Sequence, residues 1–467
     1  MKSRKYNILI WLRSLVKRIM PDTPDSTSYE DIDTAIANWQ DIYTGNPPWL
    51  KKCHYKTLNL SAGIASEFAR LMMVEFESEI TGSKRADYIN KQYHNLTKIL
   101  RTKLESACAV GGIAFKPYVQ NGAIMVDCIT QDRFIPISYT SQGITGAVFV
   151  SQEARSGKFY TRLEKQIYDG QKRTHTIESH FFVSNNRERL GTEISGDDYG
   201  GDIEPYIQFN DVDRPLFAFW RVPFANQISP DSPLGVSVFS RAVNLLEEVD
   251  LQWDRYLWEY KGGTLAVHAS EALLRQRTVT TENGVSYNTK ELPESRDRLF
   301  QTFSAGDPQD PMYKVFSPAL RDEQYANGVD KIIRKIEFAC SLAYGTISDP
   351  QNVDKTAEEI RSSKQRSYAT VCDMQQSLQT ALEDYIYALN EYTTACNLAP
   401  VGDYEVQFNW GDGVLEDSDK EQAIRLQEVN SGIITKENYL EWRYGVTEEQ
   451  AKEMIPKSDV TDPFGGR

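Results

Sequence analysis

Apolar residues recur every three or four positions from Leu58 to Phe76, at Leu60, Ile64, Phe68, Leu71 and Met72, which predicts a helix with one buried face. Thr81-Gly82-Ser83 stops it, and another helix is predicted from about Ala86 to Val110. Upstream, Ile32, Ile36, Trp39 and Ile42 mark a helix ended by Gly45, Pro47 and Pro48. Residues 5–20 carry Ile8, Leu12, Leu15, Val16 and Ile19 on one helical face and Lys5, Arg13, Lys17 and Arg18 elsewhere, a basic amphipathic stretch stopped by Pro21 and Pro24. After Gly111-Gly112 the period becomes two. Ile113–Val119, Ala123–Ile129, Phe134–Ser138, Ala147–Glu153, Phe159–Tyr168 and Thr174–Val183 alternate between the turn signals Asn121-Gly122, Gly143, Gly157 and Asp169-Gly170, so a meander of antiparallel strands is expected. The stretch Gly191 to Gly201 reads as a loop.

From Pro233 the pattern is helical again. Phe239, Ala242, Leu246, Val249, Trp253, Tyr256 and Tyr260 alternate three- and four-residue spacing up to Gly262-Gly263, a stripe that packs against other helices. Turn-rich sequence follows, with Glu282-Asn283-Gly284 as a hairpin turn between Thr278-Val279-Thr280 and Val285-Ser286-Tyr287. A helix then carries Val329, Ile332, Ile333, Ile336, Cys340 and Ala343 and is expected to break at Gly345. Ser348, Asp349, Pro350, Gln351, Asn352, Val353, Asp354 and Lys355 form a polar loop, in which Pro350 disfavours helix at Asp349. Thr356-Ala357-Glu358-Glu359 is a capping box that opens a long helix through Val371, Met374, Leu378, Leu382, Tyr385, Leu389 and Tyr392. At about 1.5 Å per residue it spans on the order of 60 Å. A strand over Tyr404–Trp410 and small helices behind capping boxes at Ser418 and Thr447 finish the chain.

At 467 residues several domains, or one subunit of several parts, are expected; 40% hydrophobic, 25% charged and 11% aromatic residues argue against wholesale disorder. A net charge of −14 makes the chain a poor neutraliser of phosphate backbones over a large surface, so DNA that meets it is expected to slide past. Cys53, Cys108, Cys128, Cys340, Cys372 and Cys396 include no Cys-x-x-Cys, and a reduced compartment is the simplest reading. The run Ile8–Leu12 is too short for a secretory signal, and no stretch is apolar enough for a membrane span.

The phosphate-binding, dinucleotide, nucleophile-elbow and zinc-protease motifs are all absent, so neither an ATPase nor another enzyme is expected, with no catalytic residues, metal or cofactor. His54, His94, His175, His180 and His268 are scattered and read as surface residues, with His175 and His180 on opposite strand faces. The carboxylate pairs Asp211/Asp213, Glu247/Glu248, Glu358/Glu359 and Asp417/Asp419 are better explained by turns, capping and helix ends than by metal binding.

The order of these parts resembles the portal proteins of tailed bacteriophages, those of long-tailed phages of Gram-positive hosts in particular. The best local matches are Gly345-Thr346-Ile347-Ser348-Asp349-Pro350 leading into Lys355-Thr356-Ala357-Glu358-Glu359-Ile360, and Gly432-Ile433-Ile434-Thr435-Lys436-Glu437 with Tyr444-Gly445-Val446-Thr447-Glu448-Glu449-Gln450-Ala451. The resemblance implies an α+β, elongated, multi-part portal fold. Its parts would be an N-terminal arm (1–57), a wing of helices and antiparallel strands (58–232), a first stem helix (233–261), a clip (262–319), a second stem helix (320–345), a tunnel loop (346–355), a long wing helix (356–397) and a small helical crown with the tail (398–467).

It further implies a ring, usually a dodecamer, at the capsid portal vertex of the virion, assembled in the host cytoplasm. Double-stranded DNA passes non-specifically during packaging and ejection, and terminase large subunit, head-tail adaptor, scaffold and major capsid proteins are the expected partners; no membrane is. On this reading the loop Ser348–Lys355 lines the channel, and Leu246, Val249, Trp253, Tyr256, Ile332 and Ile336 form the seam between subunits. Two alternatives remain open at this point. Another virion structural protein, such as a head-tail connector or minor capsid protein, predicts no wide axial pore, and a metal-dependent hydrolase or nuclease predicts divalent-cation dependence.

Overall fold

The computed structural model describes residues 30–52, 57–187, 189–200, 203–263, 266–270, 275–280, 284, 286–291, 300–303, 313–349, 357–411, 425–444, 451–452 and 454. The basic stretch 5–20, the loop residues Pro350, Gln351, Asn352, Val353, Asp354 and Lys355, and the capping boxes at Ser418 and Thr447 lie outside the described residues. The chain divides into two compact units, Met1–Met73 with Glu77–Phe408, and Val74–Phe76 with Asn409–Arg467.

In the large unit, α1 (Glu30–Tyr43) buries Ile32, Ile36, Trp39 and Ile42, and α2 (Leu60–Met73) buries Ile64, Phe68 and Met72, as the spacing predicts. A strand not read from the sequence, β1 (Glu77–Thr81), pairs with residues Glu405–Asn409 near the end of the chain. Helix α3 (Lys84–Val110) starts at Ser83, whose side chain accepts from the Ala86 amide, and ends at Gly111, whose φ of 109° lies in the left-handed region.

The alternating stretch folds into two sheets instead of one meander. β2 (Gly112–Gln120) and β3 (Ala123–Thr130) form a hairpin over Asn121-Gly122, whereas β4 (Phe134–Thr140), β5 (Gly143–Arg155), β6 (Lys158–Asp169), β7 (Thr174–Ser184) and β8 (Thr192–Ile194) are consecutive neighbours in a second sheet. β9 (Tyr206–Asn210) joins β7, and β10 (Ala218–Arg221) joins β2. The break falls at Gln131. Its fully buried side chain donates to Gly235 O at 2.9 Å and to Val110 O, and accepts from Gly235 N at 3.2 Å, so it binds the chain entering the next helix instead of continuing a strand. A Cβ on Gly111 would lie 2.6 Å from Gly235 O and one on Gly235 would lie 2.0 Å from Gly111 O, so both positions require glycine.

A buried ionic network ties the two sheets together. Lys116 Nζ on β2 lies 2.9 Å from Glu164 on β6, Arg162 Nη2 lies 2.5 Å from the same carboxylate, and Gln166 Nε2 donates to it at 2.5 Å. Gln166 also meets His175 Nε2 at 3.0 Å. His175, read from the sequence as a surface residue, is therefore buried between the sheets; only its five-residue offset from half-exposed His180, which meets Glu178 and Glu193, behaves as the strand period requires.

Helix α4 (Val243–Gly262) begins at Val243 and not at Pro233. The preceding residues Leu234 to Phe239 are all buried, and Val238 N donates to Cys108 O at 3.0 Å, so this stretch is non-helical packing on the end of α3. Beyond α4, β11 (Ala266–Ser270), β12 (Arg275–Thr280), β13 (Ser286–Glu291), β14 (Phe300–Phe303) and β15 (Tyr313–Phe316) make a region richer in strands than its turn-laden sequence suggests. The predicted hairpin is present as β12–β13, with Thr280 opposite Ser286, while β11 pairs β14 in parallel and β15 antiparallel.

Helix α5 (Asp322–Ala339) ends before the expected Gly345. Ser341 takes φ 61°, Ser341 N donates to Phe338 O at 3.1 Å and Leu342 N to Glu337 O at 2.9 Å, a Schellman ending built on serine. The 39-residue α6 (Ala357–Ala395) then runs as the heptad pattern predicts, and Val371, Met374, Leu378, Leu382, Tyr385, Leu389 and Tyr392 are all buried within this one chain against α3, β2 and β10. Arg85 of α3 clamps its far end, donating to Asn390 Oδ1 at 2.9 Å, Thr394 Oγ1 at 2.6 Å and the Ala399 and Pro400 carbonyls. β16 (Glu405–Asn409) completes the pair with β1.

In the small unit, Phe76 stacks on Trp410 at 4.4 Å, and Arg425, in a short helix over 425–430, lies 4.5 Å above Trp442 of α7 (Lys436–Tyr444). The whole is a mixed α+β structure with mainly antiparallel sheets.

Candidate functional site

The paired helices α4 and α5 bracket the strand-rich insertion, and they are joined at its neck. Arg321 donates to Glu259 at 3.0 and 2.8 Å, and that hydrogen bonding holds the Glu259 carboxyl below its ordinary range. Tyr256 meets Tyr325 at 6.4 Å. Burial along the pair is graded. Leu246, Val249 and Ile336 are sealed by their own chain, Trp253, Tyr256 and Ile332 are half-buried, and Trp258, Tyr260 and Phe338 are 51%, 39% and 57% exposed. A groove of about 710 Å³ runs beside them, lined by Leu251, Trp258, Pro318 and Tyr325 with Asp254 and Arg255.

Near the other end of α4, buried Asp250 collects Trp49 Nε1 at 2.8 Å, Thr57 Oγ1 at 2.6 Å and Leu58 N at 2.9 Å, which fastens the chain before α2 to this helix. Sequence reasoning passed over Asp250, because it sits within an apolar stripe with nothing beside it to suggest three donors.

The turn after α5 is built around Glu337. Its fully buried carboxylate accepts from Ile347 N at 2.7 Å and Ser348 N at 2.9 Å on one oxygen, and from Gly345 N at 3.3 Å and Ser348 Oγ at 2.9 Å on the other. Of the predicted channel residues, Ser348 is therefore buried and turned into the protein, and Asp349 is exposed with its amide 3.4 Å from Asp330. Asp330 itself pairs with Arg334 at 2.6 Å. From α6, Arg366 stacks on Phe338 at 4.4 Å and Tyr344 at 5.9 Å. Glu337 was missed as well, although a carboxylate in the last turn of a helix opposes the macrodipole and so signals a tertiary partner.

The candidate chemical groups stay apart. Among the described residues no three of His, Cys, Asp and Glu stand close enough to hold a metal ion. Asp213 pairs with Arg173 at 2.7 Å on the surface, Asp211 occupies a turn with φ 58°, and burial pushes the Cys340 thiol up to about 12, far from a reactive thiolate. No described helix is long and apolar enough to cross a membrane.

Paired helices bracket a stranded insertion, end in a pinned turn and lead into a long helix sealed against β2 and β10, a framework of packed parts. The family model described as "Phage portal protein, SPP1 Gp6-like" matches residues 51–459, and the chain belongs to that family. It is a structural, non-enzymatic portal subunit of the phage virion that acts in DNA packaging, and it works as an oligomeric ring together with capsid-assembly partners. Comparison with curated proteins gives no match.

Proposed function

We propose that in this portal subunit α4 and α5 are the stem helices, 262–319 the clip, 346–355 the tunnel loop, α6 the long wing helix, 58–232 the wing and 398–467 the crown, and that the ring is a dodecamer. The clip then carries the contacts to terminase large subunit and head-tail adaptor, and the body meets scaffold and major capsid proteins. The observation that carries this reading is the graded burial of the stem. Trp258 and Tyr260, at the end of α4 next to the insertion, are 51% and 39% exposed although the same helix is sealed at Leu246 and Val249, and a neighbouring copy is the natural cover for aromatic residues left in that position. The seam accordingly falls on Trp253, Tyr256 and Ile332 and the open aromatics beyond them.

DNA passes the loop with little adhesion. Asp349 and Asp354 oppose what Lys355 attracts, and the net charge of −14 keeps the channel from trapping phosphate. Replacing Asp349 and Asp354 together by Lys is expected to leave rings intact and to lower packaging rate or packaged length. Unchanged packaging by intact rings would reduce the loop to a connector, and microscopy of the purified protein showing uniform monomers with no axial hole would remove the ring reading of the stem.

A further inference from the structure

The turn that follows α5 is held from within that helix. On the α5 side, the Glu337 carboxylate is out of water and meets four donors from Gly345, Ile347 and Ser348, all within 2.7–3.3 Å. Gly345 N also reaches Ser348 Oγ at 3.2 Å, which closes the turn on itself. A buried anion satisfied in this way by backbone amides fixes the backbone that supplies them, because any displacement of the turn strips hydrogen bonds from a charge that has no solvent to replace them. From α6, Arg366 stacks on Phe338, within α5, and more distantly on Tyr344 just before the turn's first donor, and its buried Nε and Nη2 atoms find no hydrogen-bond acceptor among the described residues. Stacking on a ring face tolerates sliding, whereas the fixed directions of four hydrogen bonds do not.

We infer that Glu337 is a positioning residue, which locks the foot of the loop, Gly345 to Ser348, onto α5. Ser348 is therefore an anchor and not a channel contact, and force applied at 345–348 passes into α5. The functional half of this inference rests on the channel reading of the loop given above; the mechanical half does not.

The test uses full-length rings and hydrogen exchange of the segment 341–349, with packaging measured on the same rings. Glu337→Gln keeps size and one acceptor but turns an N–H₂ toward amide donors, and it is expected to raise exchange at 345–348 by about ten- to a hundredfold, with exchange in α5 itself unchanged. Arg366→Gln is expected to leave the same amides within about twofold of wild type. Ser348→Ala, which removes one of the four bonds and carries little risk to folding, is expected to fall between them, and it replaces Glu337→Gln should that variant form no rings.

Unchanged exchange in Glu337→Gln, or an equal rise in Arg366→Gln, overturns the inference. Raised exchange together with a severalfold fall in packaging rate by rings of normal mass supports both halves. Raised exchange with normal packaging keeps Glu337 as the lock and removes the channel reading.

Discussion

Replacing Glu164 by Gln tests what joins the sheet of β2 to the sheet of β6. Glu164 stands between Lys116 at 2.9 Å and Arg162 at 2.5 Å, and the Lys116 and Glu164 side chains are only 7% and 5% exposed. Burial by itself would raise the Glu164 carboxyl, but the two cations and the hydrogen bonds from Lys116 and Gln166 outweigh it and hold the group below its ordinary value. Breaking such a pair costs about 3–5 kcal/mol, and Asp127, 3.4 Å from Lys116 and 46% exposed, keeps the expected loss near the lower end. Urea unfolding followed by circular dichroism at pH 7 should show that loss, and adding Lys116→Met should recover part of it.

The pH dependence separates the neighbour. Burial lowers the His175 imidazole from 6.5 to about 3, so below pH 6.5 the unfolded chain binds a proton that the native state refuses, and stability falls as pH falls. At about 1.4 kcal/mol per pH unit this removes roughly 2 kcal/mol between pH 6.5 and 5. Glu164 acts in the same direction but later: its contribution is present above the ordinary value of 4.5 and is lost only as pH falls through its lower native value. His175→Gln should flatten the slope between pH 6.5 and 5 and leave the more acidic loss in place. An unchanged urea midpoint in Glu164→Gln would refute the network as the tie between the sheets.

Trp253→Asp puts a charge into the half-buried stem seam at a cost of several kcal/mol, and normal ring yield and heat stability in this variant would show that the seam lies elsewhere. Deleting Thr278–Tyr287, which removes the turn and the adjoining ends of β12 and β13, should spare the ring and impair packaging or tail joining; loss of rings would count against the clip assignment. Asp250→Ala leaves Trp49 Nε1, Thr57 Oγ1 and Leu58 N without their acceptor, a local loss of about 2–4 kcal/mol, and limited proteolysis should cut the chain before α2 faster than in wild type.

What the sequence made legible was whatever a period records. The strands from Ile113 to Val183 emerged within a few residues because each alternates, and α6 emerged because its apolar residues hold one face from Val371 to Tyr392. The division of those strands into two sheets did not, since it depends on Gln131 meeting Gly235, a contact across 104 positions that leaves no periodic trace. The start of α4 was misplaced for a related reason. Leu234, Val236 and Val238 are as apolar as a helix stripe, and their burial is fixed by packing on the end of α3 and not by their own spacing. The early end of α5 turned on Ser341 adopting the left-handed conformation that glycine usually supplies, so attention went to Gly345 four positions beyond.

The same distinction runs through the functional surface. A heptad stripe says that a face is covered, and it does not say by which chain. In α6 the stripe proves to be covered by the subunit's own sheet and helix, whereas in α4 the identical signal is covered by its own chain at Leu246 and Val249 and left progressively open from Trp253 to Tyr260. Apolar periodicity by itself therefore does not locate a subunit seam, and the proposed seam is drawn from the loss of burial along a periodic face, because a surface that must serve an unassembled chain as well as a ring can be sealed only at the end where its own chain supplies the cover.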